Sequence, residues 1–192
     1  GPLLRITVLG ALMGTGAQGG YYAITTWLPT FLRTERQLSV LNTGGYLAVL
    51  IVSAFFGYLT GAYLADRIGR RATFLFFAIG SCIVVLTYTM VPFGNGVMLV
   101  LGAPLGFFSA GVFSAMGAFF TEQFPTRVRG VGQGFAYNFG RATGALFPWL
   151  VGALSAVMPL GMAIGVFAAA AYLMMAAAAY ALPETRGKVL TA

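Results

Sequence analysis

Long apolar runs alternate with short polar segments along the whole chain. The six runs span residues 6–32, 43–65, 72–91, 97–120, 131–157 and 162–182. An α-helix of about 20 residues crosses the hydrocarbon core of a bilayer, and every run reaches that length. The pattern therefore predicts an all-α membrane protein, with six transmembrane helices forming a single transmembrane domain over residues 1–192.

Two of the runs contain residues that disturb a helix. The first run would be roughly 40 Å long at about 1.5 Å per residue, so it could cross the bilayer either tilted or broken. Its four central glycines and one proline favour a break, because they weaken the helix backbone. Pro148 predicts an interruption of the fifth run for the same reason. The residues concerned in the first run are Gly14, Gly16, Gly19, Gly20 and Pro29.

Composition supports a membrane protein and argues against other classes. Only 8% of the residues are charged, compared with about 25% in an average soluble domain. The net charge of +7 is scattered between apolar runs, so it does not form the basic stripe of a nucleic-acid-binding protein. The chain has no histidine and one cysteine, Cys82, so neither a disulfide nor a thiolate metal site can form within it. These features predict no cofactor, no metal site and no enzymatic activity.

Basic residues are distributed unequally between the two ends of the predicted helices. Eight lie at one end, called the basic end below, and only Arg33 and Arg36 lie at the other. Because lysine and arginine accumulate in cytoplasmic loops, the basic end is predicted to face the cytoplasm, with both termini there. The eight residues of the basic end are Arg5, Arg67, Arg70, Arg71, Arg127, Arg129, Arg186 and Lys188.

The densest polar segment, GAYLADRIGRR (Gly61–Arg71), lies between the second and third runs. Both flanking runs are long enough to cross a membrane, so the segment is predicted to form a tight turn at the basic end. Asp66 stands where the incoming helix ends, and Gly69 allows the chain to reverse. The arginines that follow would anchor the turn at the membrane face.

This segment resembles the signature loop of the major facilitator superfamily, which recurs between the second and third helices of each six-helix half. FPTRVRG (Phe124–Gly130) and PETRGK (Pro183–Lys188) resemble motifs of its sugar-porter and organic-acid-symporter branches. Their order and spacing resemble the C-terminal half of such a transporter, a 3+3 inverted repeat, over essentially the whole chain. One departure is that Ala62 stands four residues before Asp66, where the family has glycine, and Gly61 is one residue earlier.

The resemblance implies that the signature segment belongs to a gate. In the family, acids and arginines at this end form ion pairs that hold the cytoplasmic side closed. The alternative is simple topology anchoring, with surface pairs worth about 0–1 kcal/mol each. By resemblance, the gate would comprise Gly61, Asp66, Arg67, Gly69, Arg70 and Arg71, with Glu122, Arg129 and Glu184 as partners.

Arg141 is the one basic residue that belongs to neither end. It lies twelve residues after Arg129, roughly 18 Å up the fifth helix and close to the bilayer midplane. A charge at that depth costs about 2.5–3.5 kcal/mol or more, so it requires a partner or a watery cavity. Its helix face is small or polar, as a cavity lining should be: Gly134, Asn138, Ala145 and Pro148.

The four acids of the chain all lie at helix ends, so none reaches the depth of Arg141. Arg141 should therefore bind an anionic substrate, for which a guanidinium binding a carboxylate is well suited, or pair with an acid outside this chain. The segment Tyr137–Pro148 also resembles organic-anion and carboxylate symporters more than sugar porters.

Gln18 reaches the same depth on the first helix. The segment of Gln18, Tyr21 and Tyr22 resembles the seventh helix of sugar porters, which implies substrate binding by these residues, and Asn138 is a further candidate. The alternative for Gln18 is a hydrogen bond between packed helices. Gly140 and Gly144 are predicted to serve helix packing.

Together these features predict one half of a secondary transporter that moves a small organic acid anion by alternating access. The resemblance alone implies proton symport, driven by a proton gradient. A sugar or polyol symporter is the alternative within transport, and a non-transporting assembly or sensor subunit is the alternative in another class. The predicted partners are the lipid bilayer of a bacterial inner membrane, a missing N-terminal six-helix half and a carboxylate substrate, but no nucleic acid.

Overall fold

A computed structural model describes residues 1–187 of the chain, which leaves Lys188 of the basic end outside the described residues. This part is helical and contains no strand. The α-helices are α1 (Pro2–Thr34), α2 (Val40–Arg67), α3 (Arg70–Met90), α4 (Asn95–Gly111), α5 (Phe113–Gln123), α6 (Arg129–Gly144), α7 (Phe147–Leu154) and α8 (Leu160–Ala181). A short 3-10 helix, Thr126–Val128, precedes α6.

Four segments of the described chain are long and apolar enough to cross a membrane: α2, α3, the continuous stretch of α4 and α5 (Asn95–Gln123), and α8. The remaining two predicted spans are α1 and the pair α6–α7. These two carry Gln18 and Arg141, the polar groups that the sequence placed at mid-membrane depth. The least apolar helices are thus the ones that bear the candidate site.

Of the two possibilities left open for the first run, the structure has the unbroken helix, because α1 is continuous from Pro2 to Thr34 and includes Pro29. Its glycines serve close packing instead. A Cβ on Gly14 would lie 2.9 Å from the carbonyl oxygen of Ala136 on α6, and one on Gly20 would overlap the ring of Tyr172 on α8. A glycine-rich stretch can therefore be a continuous helix when two neighbouring helices pack closely against it.

The fourth and fifth spans are each divided in two. The fifth divides at Ala145 and Leu146, just before Pro148, which occupies the start of α7 as proline readily does. The fourth divides at Val112, which the sequence did not predict. The interruption at Val112 lies directly before Phe113, which lines the candidate site described below.

Helix pairing follows an internal symmetry. The most extensive contacts join α2 to α4, α1 to α8, α1 to α6, and α3 to α8. The six spans are α1, α2, α3, α4–α5, α6–α7 and α8. When the first three are exchanged in order with the last three, the α2–α4 contact becomes the α6–α1 contact. The α3–α8 contact maps onto itself, as expected for a three-plus-three repeat. The core lies between α1, α3, α8 and the α4–α5 span, while α2 and α6 flank it.

Candidate functional site

An open cleft of about 250 Å³ collects the polar groups predicted on separate helices. Arg141 of α6 and Gln18, Tyr21 and Tyr22 of α1, four of the proposed substrate-binding residues, all line it. Further lining comes from α2, from the interruption between α4 and α5, and from α6 itself. These additional residues are Tyr58, Phe113 and Tyr137.

Gln18 connects α1 to α6 at one wall of the cleft. Its side chain is only 3% exposed, and its amide nitrogen donates to the carbonyl oxygen of Tyr137 at 3.3 Å. The hydroxyl of Tyr22 donates to the amide oxygen of Gln18 at 3.0 Å. Both ends of the amide are therefore used within the protein. In this arrangement Gln18 orders Tyr22 and the α6 backbone, which is the helix-packing role that the sequence left as an alternative.

Arg141 is exposed, and it has no hydrogen bond or ion pair within residues 1–187. Asn138, one turn earlier on α6, is exposed as well, and its amide donates to the carbonyl oxygen of Gly134 at 2.8 Å. Asn138 does not line the cleft itself. The cleft therefore offers a guanidinium surrounded by tyrosine rings, with no carboxylate among the lining residues that the structure describes.

Tyr137 could have been found from its spacing, because it precedes Arg141 by four residues and so shares its helix face. Tyr58 and Phe113 gave no such signal. Phe113 follows the unpredicted interruption at Val112, and its ring packs edge-on against Tyr21 with centroids 5.4 Å apart. Only the packing of α2 and α5 against α1 brings these two residues to the cleft.

α6 packs closely on α1 beside the cleft. A Cβ on Gly140 would overlap the backbone of Gly14, and one on Gly144 would lie 2.8 Å from the amide nitrogen of Gly19. The predicted packing role of the two α6 glycines is thus consistent with the structure. This contact fixes the position of Arg141 relative to Gln18, since both side chains project from the same helix pair.

A second group of polar residues forms a network at the basic end, centred on Arg70. The guanidinium of Arg70 binds Glu122 through two hydrogen bonds, with Nε to Oε2 at 3.1 Å and the terminal nitrogen to Oε1 at 3.0 Å. Its other terminal nitrogen donates to Asp66 at 2.7 Å and to the carbonyl oxygen of Ala65 at 2.8 Å. Arg70 therefore joins the end of α2 to the end of α5.

Glu184, in the segment after α8, binds the first turn of α3. Its carboxylate accepts hydrogen bonds from the backbone amides of Arg70 and Arg71, both at 3.0 Å. Burial raises the pKa of Glu184, but the hydrogen bonds from the amides of Arg186, Thr185, Arg71 and Arg70 outweigh it and lower the pKa below its ordinary value. A carboxylate at the N-terminus of a helix is also favoured by the helix dipole.

The two glycines of the signature segment have different structural roles. Gly69 has a φ of 102°, which favours glycine, and a Cβ there would lie 2.7 Å from Oε2 of Glu184. Gly61 lies against the carbonyl oxygen of Gly111, so that α2 crosses α4 without a side chain between them. The close crossing is thus made by Gly61, and the neighbouring Ala62 is exposed.

The remaining predicted gate residues lie at the edge of this network. Arg71 places its guanidinium over the ring of Tyr180, 4.1 Å from the centroid. Arg67 is exposed. Arg129 donates to the hydroxyl of Thr126 at 2.9 Å, and neither Arg67 nor Arg129 makes a described ion pair with Asp66, Glu122 or Glu184.

Comparison with known proteins agrees with this fold. The profile of the Major Facilitator Superfamily matches residues 2–148. A probable 4-methylmuconolactone transporter from Cupriavidus pinatubonensis is 37% identical over 95% of this chain and 42% of its own length. A cis,cis-muconate transport protein from Acinetobacter baylyi is 29% identical over 86% of this chain and 40% of its own length. The chain thus spans about two fifths of the length of these relatives.

A crystal structure of an auto-inhibited peptide transporter of the POT family has the same fold. It matches with a TM-score of 0.74 at 18% identity, over 98% of this chain and 39% of that chain. The predicted family and the predicted six-helix architecture are therefore confirmed. The chain belongs to the Major Facilitator Superfamily, a family of membrane transporters and not of enzymes, and has the fold of one six-helix half.

Proposed function

We propose that this chain is the C-terminal half of a secondary transporter that moves a small organic acid anion. The observation that carries the proposal is the guanidinium of Arg141, which has no partner within residues 1–187 and lies in a cleft whose described lining contains no carboxylate. The names of two relatives, which refer to muconate and to a muconolactone, support an organic acid over a sugar or polyol.

Arg141 would bind a carboxylate because its planar guanidinium can donate two parallel hydrogen bonds to the two oxygens. The tyrosine rings of the cleft would pack against the carbon skeleton of the substrate, and their hydroxyls would donate to further oxygens. A cleft of about 250 Å³ in one half can hold part of a small molecule. The rest of the site would come from the other half of the transporter.

The proposed partner is therefore a second six-helix half, facing the exposed sides of α2 and α6. The share of the relatives' length that this chain spans supports this, and so does the exposure of Arg141. Proton symport, if present, would rely on an acid of that other half, because all four acids here lie at helix ends. The location would be a bacterial inner membrane, with the basic end in the cytoplasm.

The basic-end network would act as the latch of alternating access. Arg70, Glu122 and Glu184 connect α2, α3, α5 and the segment after α8 into one unit, so any relative movement of these helices must break their hydrogen bonds. Exposed Arg67 would be available to the other half. Such a network can be made in one state and broken in the other.

Neutralising Asp66 should therefore shift the transporter toward inward-facing states. The accessibility of introduced cysteines from the cytoplasm would measure this shift.

The substrate proposal is tested by uptake into cells or proteoliposomes containing the complete transporter. The Arg141→Gln variant should lose uptake of cis,cis-muconate, and Arg141→Lys should retain only part of it because an ammonium cannot bind bidentately. Arg127→Gln is the matched control, since it removes an exposed arginine in the 3-10 helix, away from the cleft.

Four results would separate the functional classes. Loss of muconate uptake in Arg141→Gln with normal membrane insertion supports the anion transporter. Equal uptake of muconate by wild type and Arg141→Gln contradicts a carboxylate-binding role for this arginine. Uptake of a neutral sugar or polyol, but not of muconate, by the wild-type protein would favour the alternative symporter, and no uptake of either would favour an assembly or sensor subunit.

A further inference from the structure

A second open cleft lies at the end of the bundle opposite the basic end. Its volume is about 460 Å³, and it is formed where α1 ends and α2 begins. The one charged residue in its lining is Arg33, which is exposed and makes no hydrogen bond or ion pair within the part of the chain that the structure describes. The lining residues are Thr30, Arg33, Thr34, Leu38, Ser39 and Val40.

The neighbouring charges are already engaged elsewhere, which leaves the cleft positive. The carboxylate of Glu35 accepts a hydrogen bond from the amide of Gly161 at the start of α8, at 3.1 Å. The guanidinium of Arg36 donates to the carbonyl oxygens of Val91 and Phe93, at 3.0 and 3.4 Å. Arg33 therefore faces the cleft without a compensating acid.

Hydroxyl groups supply further donors beside Arg33. The hydroxyl of Thr30 makes no hydrogen bond among the described residues. The Ser39 oxygen accepts from the amide of Asn42 at 3.2 Å, which leaves its own proton available. Thr34 uses its proton on the carbonyl oxygen of Thr30 at 2.8 Å. The cleft thus combines one cation with two available O–H donors, which suits a carboxylate.

One face of α1 connects this cleft to the cleft of Arg141. Tyr22, Thr26, Thr30 and Arg33 follow one another at spacings of four, four and three, so they lie along one side of the helix. Thr26, Thr30 and Arg33 are exposed. On the same side toward the basic end, exposed Val8 and Leu12 are apolar, and the next exposed polar residue is Arg5 near the start of the helix. A stretch of exposed polar residues therefore connects the two clefts.

We propose that the Arg33 cleft is a second, outer carboxylate-binding site, from which the substrate passes along α1 to Arg141. This inference rests on the proposed function for the identity of the anion. Arg33 would attract and hold the carboxylate before Tyr22 and Arg141 receive it. Because the side chain is exposed, the attraction weakens as ionic strength rises.

The test measures site protection rather than transport. In the complete transporter, the native cysteines, including Cys82, are replaced by serine, and Thr34→Cys is introduced as a reporter at the cleft wall. The probe is cis,cis-muconate, and its uncharged dimethyl ester is the control. Muconate should slow maleimide modification of the reporter several-fold, the ester should not, and added salt should reduce the protection.

Variants of Arg33 and Arg141 then show which arginine is responsible for the protection. It should disappear in Arg33→Gln, persist in Arg33→Lys and persist in Arg141→Gln. Absence of protection in the parent protein overturns the proposal, as does protection that survives Arg33→Gln. Protection that is lost in Arg141→Gln would also overturn it, because the signal would then report occupancy of the inner site. If muconate is not taken up but still protects the reporter in an Arg33-dependent way, the proposed transport is refuted and the outer site is supported.

Discussion

Arg70, at the start of α3, forms a bidentate ion pair with Glu122 in the last turn of α5. Both side chains are only 14% exposed, whereas Asp66, the other carboxylate on Arg70, is 78% exposed. The hydroxyl of Thr185 also donates to Glu122, at 2.5 Å. Glu122 is therefore the better-shielded anchor of the network, although Asp66 belongs to the signature segment.

The difference in burial predicts unequal effects of two matched substitutions. Glu122→Gln leaves the guanidinium of Arg70 poorly compensated in a shielded position, and we expect a loss of about 3 kcal/mol in the free energy of unfolding. Asp66→Asn removes an exposed partner and should cost about 1 kcal/mol or less. Reversible unfolding of the purified protein in detergent measures both values. Equal losses of unfolding free energy would mean that the lower exposure of Glu122 does not strengthen its ion pair with Arg70.

The network shows how far the sequence could predict this structure. Long apolar runs predicted the helices because burial in a bilayer demands continuous apolar stretches, and motif residues predicted which charges meet at the basic end. The sequence did not predict which pair would be bidentate, because that depends on the angle at which α3 and α5 approach. Arg129 was proposed as a gate partner by resemblance to the family, and its described contact is with Thr126.

The candidate site was predictable to a similar extent. Arg141 and Gln18 were found because polar groups at mid-membrane depth are costly and therefore conspicuous. Tyr58 and Phe113 were missed because a tyrosine or phenylalanine in an apolar run looks like any lipid-facing ring. The glycines of α1 left a break open as a possibility, since their packing against Ala136 and Tyr172 depends on distant residues.

Glu184 predicts a pH dependence of the contact between the segment after α8 and α3. Its pKa is lowered in the folded protein, so its contribution to stability is present above the ordinary glutamate range and is lost as the pH falls through the folded-state value. A carboxyl ¹³C NMR titration of Glu184 should give a midpoint below that of an unstructured glutamate. The stability difference between wild type and Glu184→Gln should vanish below that midpoint; a midpoint in the ordinary range would contradict the assignment.

The crossing of α2 and α4 predicts a strong effect at Gly61. A Cβ there would overlap the carbonyl oxygen of Gly111 and the hydroxyl of Ser114, so Gly61→Ala should destabilise the protein by about 1–3 kcal/mol. Gly117→Ala is the control, because nothing lies within 4 Å of its Cβ position in α5. It should be neutral or stabilise by up to about 1 kcal/mol. Thermal unfolding of the two variants in parallel provides the measurement, and an unaffected Gly61→Ala would show that the helices separate at little cost.

Two adjacent tyrosines of α1 allow a test of how Gln18 orders the cleft. Tyr22 donates to the buried amide oxygen of Gln18, whereas the Tyr21 hydroxyl makes no hydrogen bond within residues 1–187 and its ring packs on Phe113. Tyr22→Phe leaves the amide oxygen unpaired, which costs about 1 kcal/mol or more and frees Gln18 to leave the carbonyl oxygen of Tyr137. Tyr21→Phe retains its ring contact and removes no described bond.

We therefore expect the two variants to differ in the KM of carboxylate uptake by the complete transporter. Tyr22→Phe should raise KM about fivefold, the equivalent of about 1 kcal/mol, because the cleft is no longer held ready for the substrate. Tyr21→Phe should remain close to wild type. If both variants behave alike, the hydrogen bond from Tyr22 to Gln18 does not organise the site. A larger effect of Tyr21→Phe would instead assign the free hydroxyl to the substrate.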